Sequence, residues 1–143
     1  MSIHDERAIW AAYQATRFEA RVGTETVAIH IGECSADLDA ILRRHTHTAW
    51  TFITAWNPAS ATLPADQNMR RNRDLFARLT DDGYVVFEGA GVPADPGWSA
   101  EESFLALGVS HGNAIHLGRA FGQNAVVWGA LGGPAELLDC RPI

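Results

Sequence analysis

The sequence predicts one α+β domain, with a mixed, mostly antiparallel sheet and helices packed on its faces. Three observations predict it. The chain has 143 residues, the size of a single domain. Segments of strand and helix periodicity alternate along its whole length without a repeat or a linker. Glycine turns at Gly23-Thr24 and from Gly129 to Gly133 join consecutive strand segments, which makes those segments antiparallel neighbours.

The elements follow in order. Asp5 to Ala15 reads as a short helix with Ile9, Trp10 and Tyr13 at helical spacing. Arg17 to Val22 and Thr26 to Ile31 alternate apolar and polar residues and form a hairpin. Ser35 caps a helix whose first turn holds Asp37 and whose buried stripe is Leu38, Ile41 and Leu42. Thr48 to Trp56 is β-rich and nearly all apolar, as a central strand covered on both faces must be, and Asn57-Pro58 ends it. Pro64 opens the longest helix, which runs to about Asp81 and closes at Gly83. Tyr84 to Phe87 reads as a strand, and Glu88 to Ala100, with three glycines and two prolines, as a long loop. Phe104 to Leu107 is the next strand. Ser110 then caps a helix to about Phe121, Ala125 to Trp128 is a strand, and Glu136 to Leu138 an edge strand. Trp50, Phe52, Leu75, Leu79, Val85, Phe104, Leu107 and Val126 are expected in one core.

Composition excludes several functions. With 47% hydrophobic and 20% charged residues the chain is a globular protein, not a disordered tail. A net charge of −6 argues against nucleic acid and against an anionic membrane. All 11 basic residues are arginine, so Schiff-base chemistry, a Walker lysine and a lysine general base are excluded together. Cys34 and Cys140 belong to no CxxC pair, which removes a zinc site built on paired cysteines. The first residues carry no apolar signal-peptide core, and no apolar run approaches the roughly 18 residues of a membrane span. The expectation is a cytoplasmic protein with two unpaired thiols and no cofactor.

Charge is unevenly spread. Arg43, Arg44, Arg70, Arg71, Arg73 and Arg78 share their stretch with only Asp66 and Asp74, inside an otherwise acidic chain. Such a block is an anion site, or a face that pairs with acidic surroundings.

The candidate site lies where the central strand meets the long helix. Thr54-Ala55-Trp56-Asn57-Pro58 places polar groups at the carboxyl end of a buried strand, where ligands bind in sheet proteins. Asn68, Arg71 and Asn72 fall at i, i+3 and i+4, on one helical stripe that continues as Leu75 and Leu79. Polar groups on a buried stripe must be bonded. They form either an arginine fork for a carboxylate or phosphate flanked by two orienting amides, or a structural network tying helix to strand. Of Glu101-Glu102, alternation turns only one inward; Glu102 is taken as that residue, a candidate general base or counter-ion beside Arg71. Gln123 and Asn124 add amide contacts or are simply turn residues, and Trp98, in the loop, is a candidate ligand-stacking lid.

Three motifs carry less. Gly108-Val109-Ser110-His111-Gly112 matches G-x-S-x-G, but Ser110 reads better as a helix cap. His45-Thr46-His47 offers two metal ligands without a further cluster. Arg70 to Arg73 is too short and too far inside a helix for a nucleic-acid arm.

At these residues the chain resembles an uncharacterised bacterial family, the domain of unknown function 3293. The resemblance is carried by Tyr13-Gln14-Ala15-Thr16, Phe52-Ile53-Thr54-Ala55-Trp56-Asn57-Pro58, Asn68 with Arg71-Asn72, Glu101-Glu102-Ser103-Phe104-Leu105 and Phe121-Gly122-Gln123-Asn124-Ala125. It implies no activity, ligand or partner, so the roles rest on the residues themselves. Two functions are expected from them. One is a site for a small anionic or nucleotide-like ligand, for binding alone or for catalysis with Glu102, formed by Asn57, Asn68, Arg71, Asn72 and Glu102. The other is an interaction module that docks an acidic protein partner.

Overall fold

Helix and strand periodicity are realised in the expected order. A computed structural model describes residues 3–97 and 99–142. The elements are α1 (Ile3–Ala15), β1 (Arg17–Val22), β2 (Glu25–Ile29), α2 (Ala36–Arg44), β3 (Ala49–Ile53), α3 (Ala65–Asp81), β4 (Val85–Val92), β5 (Glu101–Leu107), α4 (His111–Ala120), β6 (Ala125–Ala130) and β7 (Glu136–Asp139). A 3-10 turn over Pro58–Ser60 links β3 to α3. Ser35 and Ser110 cap α2 and α4, accepting from the Leu38 and Asn113 N–H groups.

The seven strands form one sheet in the order β2-β1-β4-β5-β3-β6-β7. Every ladder among the described residues is antiparallel. The sheet curls into a half-barrel, and a parallel bridge between Ile31 and Ala135 brings its two edges together. β3 lies between β5 and β6, inside the sheet, which explains why its residues are apolar on both faces.

Period-2 alternation divides the expected single core in two. Trp50, Phe52, Leu105 and Leu107 meet Phe18 and the α2 residues Leu38, Ile41 and Leu42 in one cluster, with Val85 packed against it. Ile53, Phe104 and Val126 meet Leu75 and Leu79 of α3 and Leu117 of α4 in the other. The sheet separates them.

Several boundaries differ from expectation: β5 begins at Glu101 rather than Phe104, β6 runs to Ala130 rather than Trp128, β2 spans Glu25–Ile29, and two further differences bear on the site. The strand from Tyr84 does not end at Phe87; β4 continues to Val92, so the loop is confined to 93–100. Gly89 is an interior strand residue because a Cβ there would collide with the Glu19 carbonyl oxygen. Its glycine marks close strand approach, not a loop. The central strand is shorter than Thr48 to Trp56 because side chains take over its ladder after Ile53: Asn72 Oδ1 accepts from the Ala55 N–H (2.8 Å) and Thr54 Oγ1 from the Trp56 N–H (3.1 Å). Among the described residues, no helix is long and apolar enough to cross a membrane.

Candidate functional site

The end of β3 is held by α3 through one residue per helical turn. Asn72, buried, accepts from the Ala55 N–H and donates to the Glu102 carbonyl (2.8 Å), joining β3 to β5. Thr54 Oγ1 donates to the same carbonyl at 2.6 Å. One turn earlier, Asn68, also buried, accepts from the Asn57 N–H (2.8 Å) and donates to Asn57 Oδ1 (2.7 Å) and the Leu63 carbonyl (3.3 Å). Asn57 Oδ1 in turn accepts from the Leu63 N–H at 3.0 Å. Asn68 and Asn72 are thus committed to the fold. No buried side-chain nitrogen or oxygen among the described residues lacks a partner.

Arg71, between them and half-buried, is committed differently. Its Nε donates to the Ala55 carbonyl (2.8 Å) and one terminal nitrogen donates to the Phe121 carbonyl (2.5 Å). Two main-chain dipoles orient the guanidinium without neutralising it. Among the described residues no carboxylate lies within ion-pair distance of Arg71. Gln123, buried, braces the same corner, donating to the Trp56 (3.3 Å) and Phe121 (3.4 Å) carbonyls.

The turn these residues hold is strained. Asn57, Ala59 and Ser60 have φ of 45°, 52° and 62°. Asparagine tolerates this left-handed region; alanine and serine do so at a cost of about 1–3 kcal/mol each. Ala59 N–H donates to the Gly122 carbonyl (2.7 Å), and Gly122, itself at φ 69°, brings its backbone close under Pro58, where a Cβ would lie 3.1 Å from the proline Cβ. Strain of this kind concentrates where a protein needs a fixed local geometry.

The expected inward carboxylate is corrected. Glu102 shares a strand face with Phe104 and Ala106 but is exposed, and the network uses only its main-chain carbonyl. The enclosed carboxylate is Glu101, on the opposite strand face. Its Oε2 accepts from Asn57 Nδ2 at 3.3 Å, and burial pushes its carboxyl above the ordinary range, against the opposing effect of that amide. Tyr13, at the end of α1, lies beside the side chains of Ser60 and Asn124; burial raises its phenol, these two side chains oppose the rise, and the Glu101 charge adds to it. Asn124 Nδ2 donates to Ser60 Oγ at 3.1 Å.

So the structure brings Asn57, Asn68, Arg71, Asn72 and Gln123 to one corner, with Glu101 rather than Glu102 joining through Asn57. The lid proposed for Trp98 lies outside the described residues. Tyr13 and Ser60 are additions that spacing does not reveal, because they come from separate elements; the one sequence signal is that Tyr13 falls in a resembling motif. His45 packs edge-on against Phe87 and His47 lies against Gly108. Among the described residues no group of three metal-ligating side chains converges.

A family model described as "Protein of unknown function (DUF3293)" matches residues 53–126, from the last residue of β3 into β6. The chain belongs to that family. The match contains the α3 stripe, the strained turn, Glu101 and Gln123, while Tyr13 lies outside it. No curated protein and no solved structure matches the chain.

Proposed function

We propose that this DUF3293 protein binds a small anion, a carboxylate or a phosphate as in a nucleotide, at the Arg71 guanidinium beside the strained turn. The observation that carries this reading is the state of Arg71: half-buried, oriented by the Ala55 and Phe121 carbonyls, and without a carboxylate partner among the described residues. A structural arginine in such a position gains most from a buried counter-charge; this one keeps its charge for something else. Carbonyl dipoles fix its plane, so a ligand binds without first ordering the side chain. The two free thiols fit a reducing, cytoplasmic setting.

The test is a thermal-shift screen with phosphate, nucleotides and small carboxylates, on the wild type and on Arg71→Gln. Stability of the variant alone does not decide the matter, because losing two carbonyl bonds destabilises the fold whether or not Arg71 meets a ligand. The expected result is an anion-dependent shift in the wild type and none in the variant. A wild type that responds to no anion, or a variant that responds equally, overturns the reading.

A second reading, docking of an acidic protein, is favoured by the outer face of α3. Met69 and Phe76 are exposed there at i and i+7, with Arg73 between them and Arg70 beside Met69. It accounts for the basic block and leaves Arg71 purely structural. Absence of any anion response would leave this reading in place.

A further inference from the structure

We propose that Glu101 anchors a second site, on the Tyr13 side of the strained turn, that takes a small organic cation such as a primary ammonium or guanidinium group. The site stands apart from the anion site at Arg71 and does not depend on it.

Glu101 is half-buried, and among the described residues no arginine or histidine lies within ion-pair distance of it. Among the described residues its carboxylate accepts one hydrogen bond, from Asn57 Nδ2, which is long at 3.3 Å and leaves most of the lone-pair sites unused. A carboxylate removed from water is expensive unless it is paired. Elsewhere the described carboxylates that meet arginines do so at the surface: Glu19 with Arg17, Asp82 with Arg78, Asp139 with Arg141. Glu101 is half-buried and has no such partner among the described residues.

Asn57 bonds the carboxylate directly, and polar groups of two other elements gather on the same side of the turn. Asn57 is clamped by Asn68, Ser60 is held by Asn124, and the Tyr13 hydroxyl lies beside Ser60 and Asn124. Ser60 and Asn124 are already bonded to each other, and none of these groups supplies a counter-charge to the carboxylate. Tyr13 senses the Glu101 charge. Hydroxyl and amide oxygens beside a carboxylate suit an ammonium or guanidinium, which offers several N–H donors in directions one amide does not fill.

The exchange balances in protons. When the free carboxyl is protonated, an arriving cation displaces that proton to solvent and leaves a carboxylate–ammonium pair; when it is already ionised, the cation binds with no proton released. No bond to carbon forms or breaks.

The test is a titration of the full chain with ethylammonium and with methylguanidinium, followed by the side-chain amide NMR signals of Asn57 and Asn124. Tetramethylammonium, which lacks N–H donors, is the control. Saturable shifts are expected with the first two and not with the control, and at least about tenfold weaker binding in Glu101→Gln, which keeps an acceptor for Asn57 but not the charge. Circular dichroism of the variant checks that it is folded, and Tyr13→Phe, with Glu101 intact, supplies an independent variant expected to weaken binding less. No saturable shift in the wild type, equal binding in Glu101→Gln, or an equal response to tetramethylammonium overturns the proposal. Phosphate titrated into Glu101→Gln, and ethylammonium into Arg71→Gln, separate failure of this site from failure of the anion site.

Discussion

Asn57 and Asn68 bind one another twice: the Asn57 N–H donates to Asn68 Oδ1 at 2.8 Å, and Asn68 Nδ2 returns a bond to Asn57 Oδ1 at 2.7 Å. The helix therefore reads the turn through both its backbone and its side chain. Asn68→Asp keeps the acceptor, loses the donor and buries a charge, so it should destabilise the fold by more than Asn68→Ala, which costs about 1–3 kcal/mol for its unpaired partners. Urea unfolding of both variants checks the order. Equal costs would mean that the buried charge costs no more than the lost acceptor bond from the Asn57 N–H.

A methyl group at Gly89 has nowhere to go. Its position overlaps the Glu19 carbonyl oxygen of β1 and lies 3.1 Å from Phe52 Cε2. Gly89→Ala must push β4 away from β1, and overpacking of this sort costs about 1–3 kcal/mol or more. Thermal unfolding should show a clear loss, whereas Gly112→Ala, where a Cβ meets nothing within 4 Å, should not. A well-tolerated Gly89→Ala would refute the tight β1–β4 contact.

Stability should fall as Glu101 ionises. Burial raises its carboxyl above the ordinary value, so the folded chain holds that proton more tightly than the unfolded chain. The contribution is complete below the ordinary glutamate range and is lost as pH rises through the elevated folded value. Glu101→Gln should match the wild type at about pH 4 and melt higher than it at about pH 7. A variant less stable at the higher pH would show that the carboxylate is welcome in the folded state.

The two cysteines should differ in reactivity. Cys34 is exposed, while Cys140 is buried and burial pushes its thiol up to about 11. Iodoacetamide at about pH 8 should add once to the native protein and twice after denaturation, as counted by mass spectrometry. Two rapid adducts on the native chain would mean that the Cys140 pocket opens readily.

How much of this was legible depends on whether the signal is local. The α3 stripe is a local pattern: Asn68, Arg71 and Asn72 lie on the face that Leu75 and Leu79 bury, and spacing alone places them there. Most of their partners are backbone groups, of Ala55, Asn57, Leu63, Glu102 and Phe121, which no side-chain pattern announces. Which glutamate is enclosed depends on the register of β5 against β3 and β4, a long-range property, and so Glu101 and Glu102 are exchanged in the sequence reading. Gly89 and Gly91 look like loop residues because glycine disfavours strands; at Gly89 that preference yields because the neighbouring strand leaves no room for a Cβ. The single core expected from composition became two because a sheet has two faces, and apolar residues of both parities occur in the same strands.

The bridge between Ile31 and Ala135 makes the two rims of the sheet depend on each other. Gly32 N–H donates to the Ala135 carbonyl (2.8 Å) and Ala135 N–H to the Glu33 carbonyl (3.0 Å), so the segments after β2 and before β7 share a clasp. Neither rim can then fray alone, and the unpaired backbone that invites a foreign strand is covered at that end. In hydrogen exchange, the Gly32 and Ala135 amides should behave as interior ones although they stand outside every regular strand, exchanging only in openings that release both ends of the sheet at once.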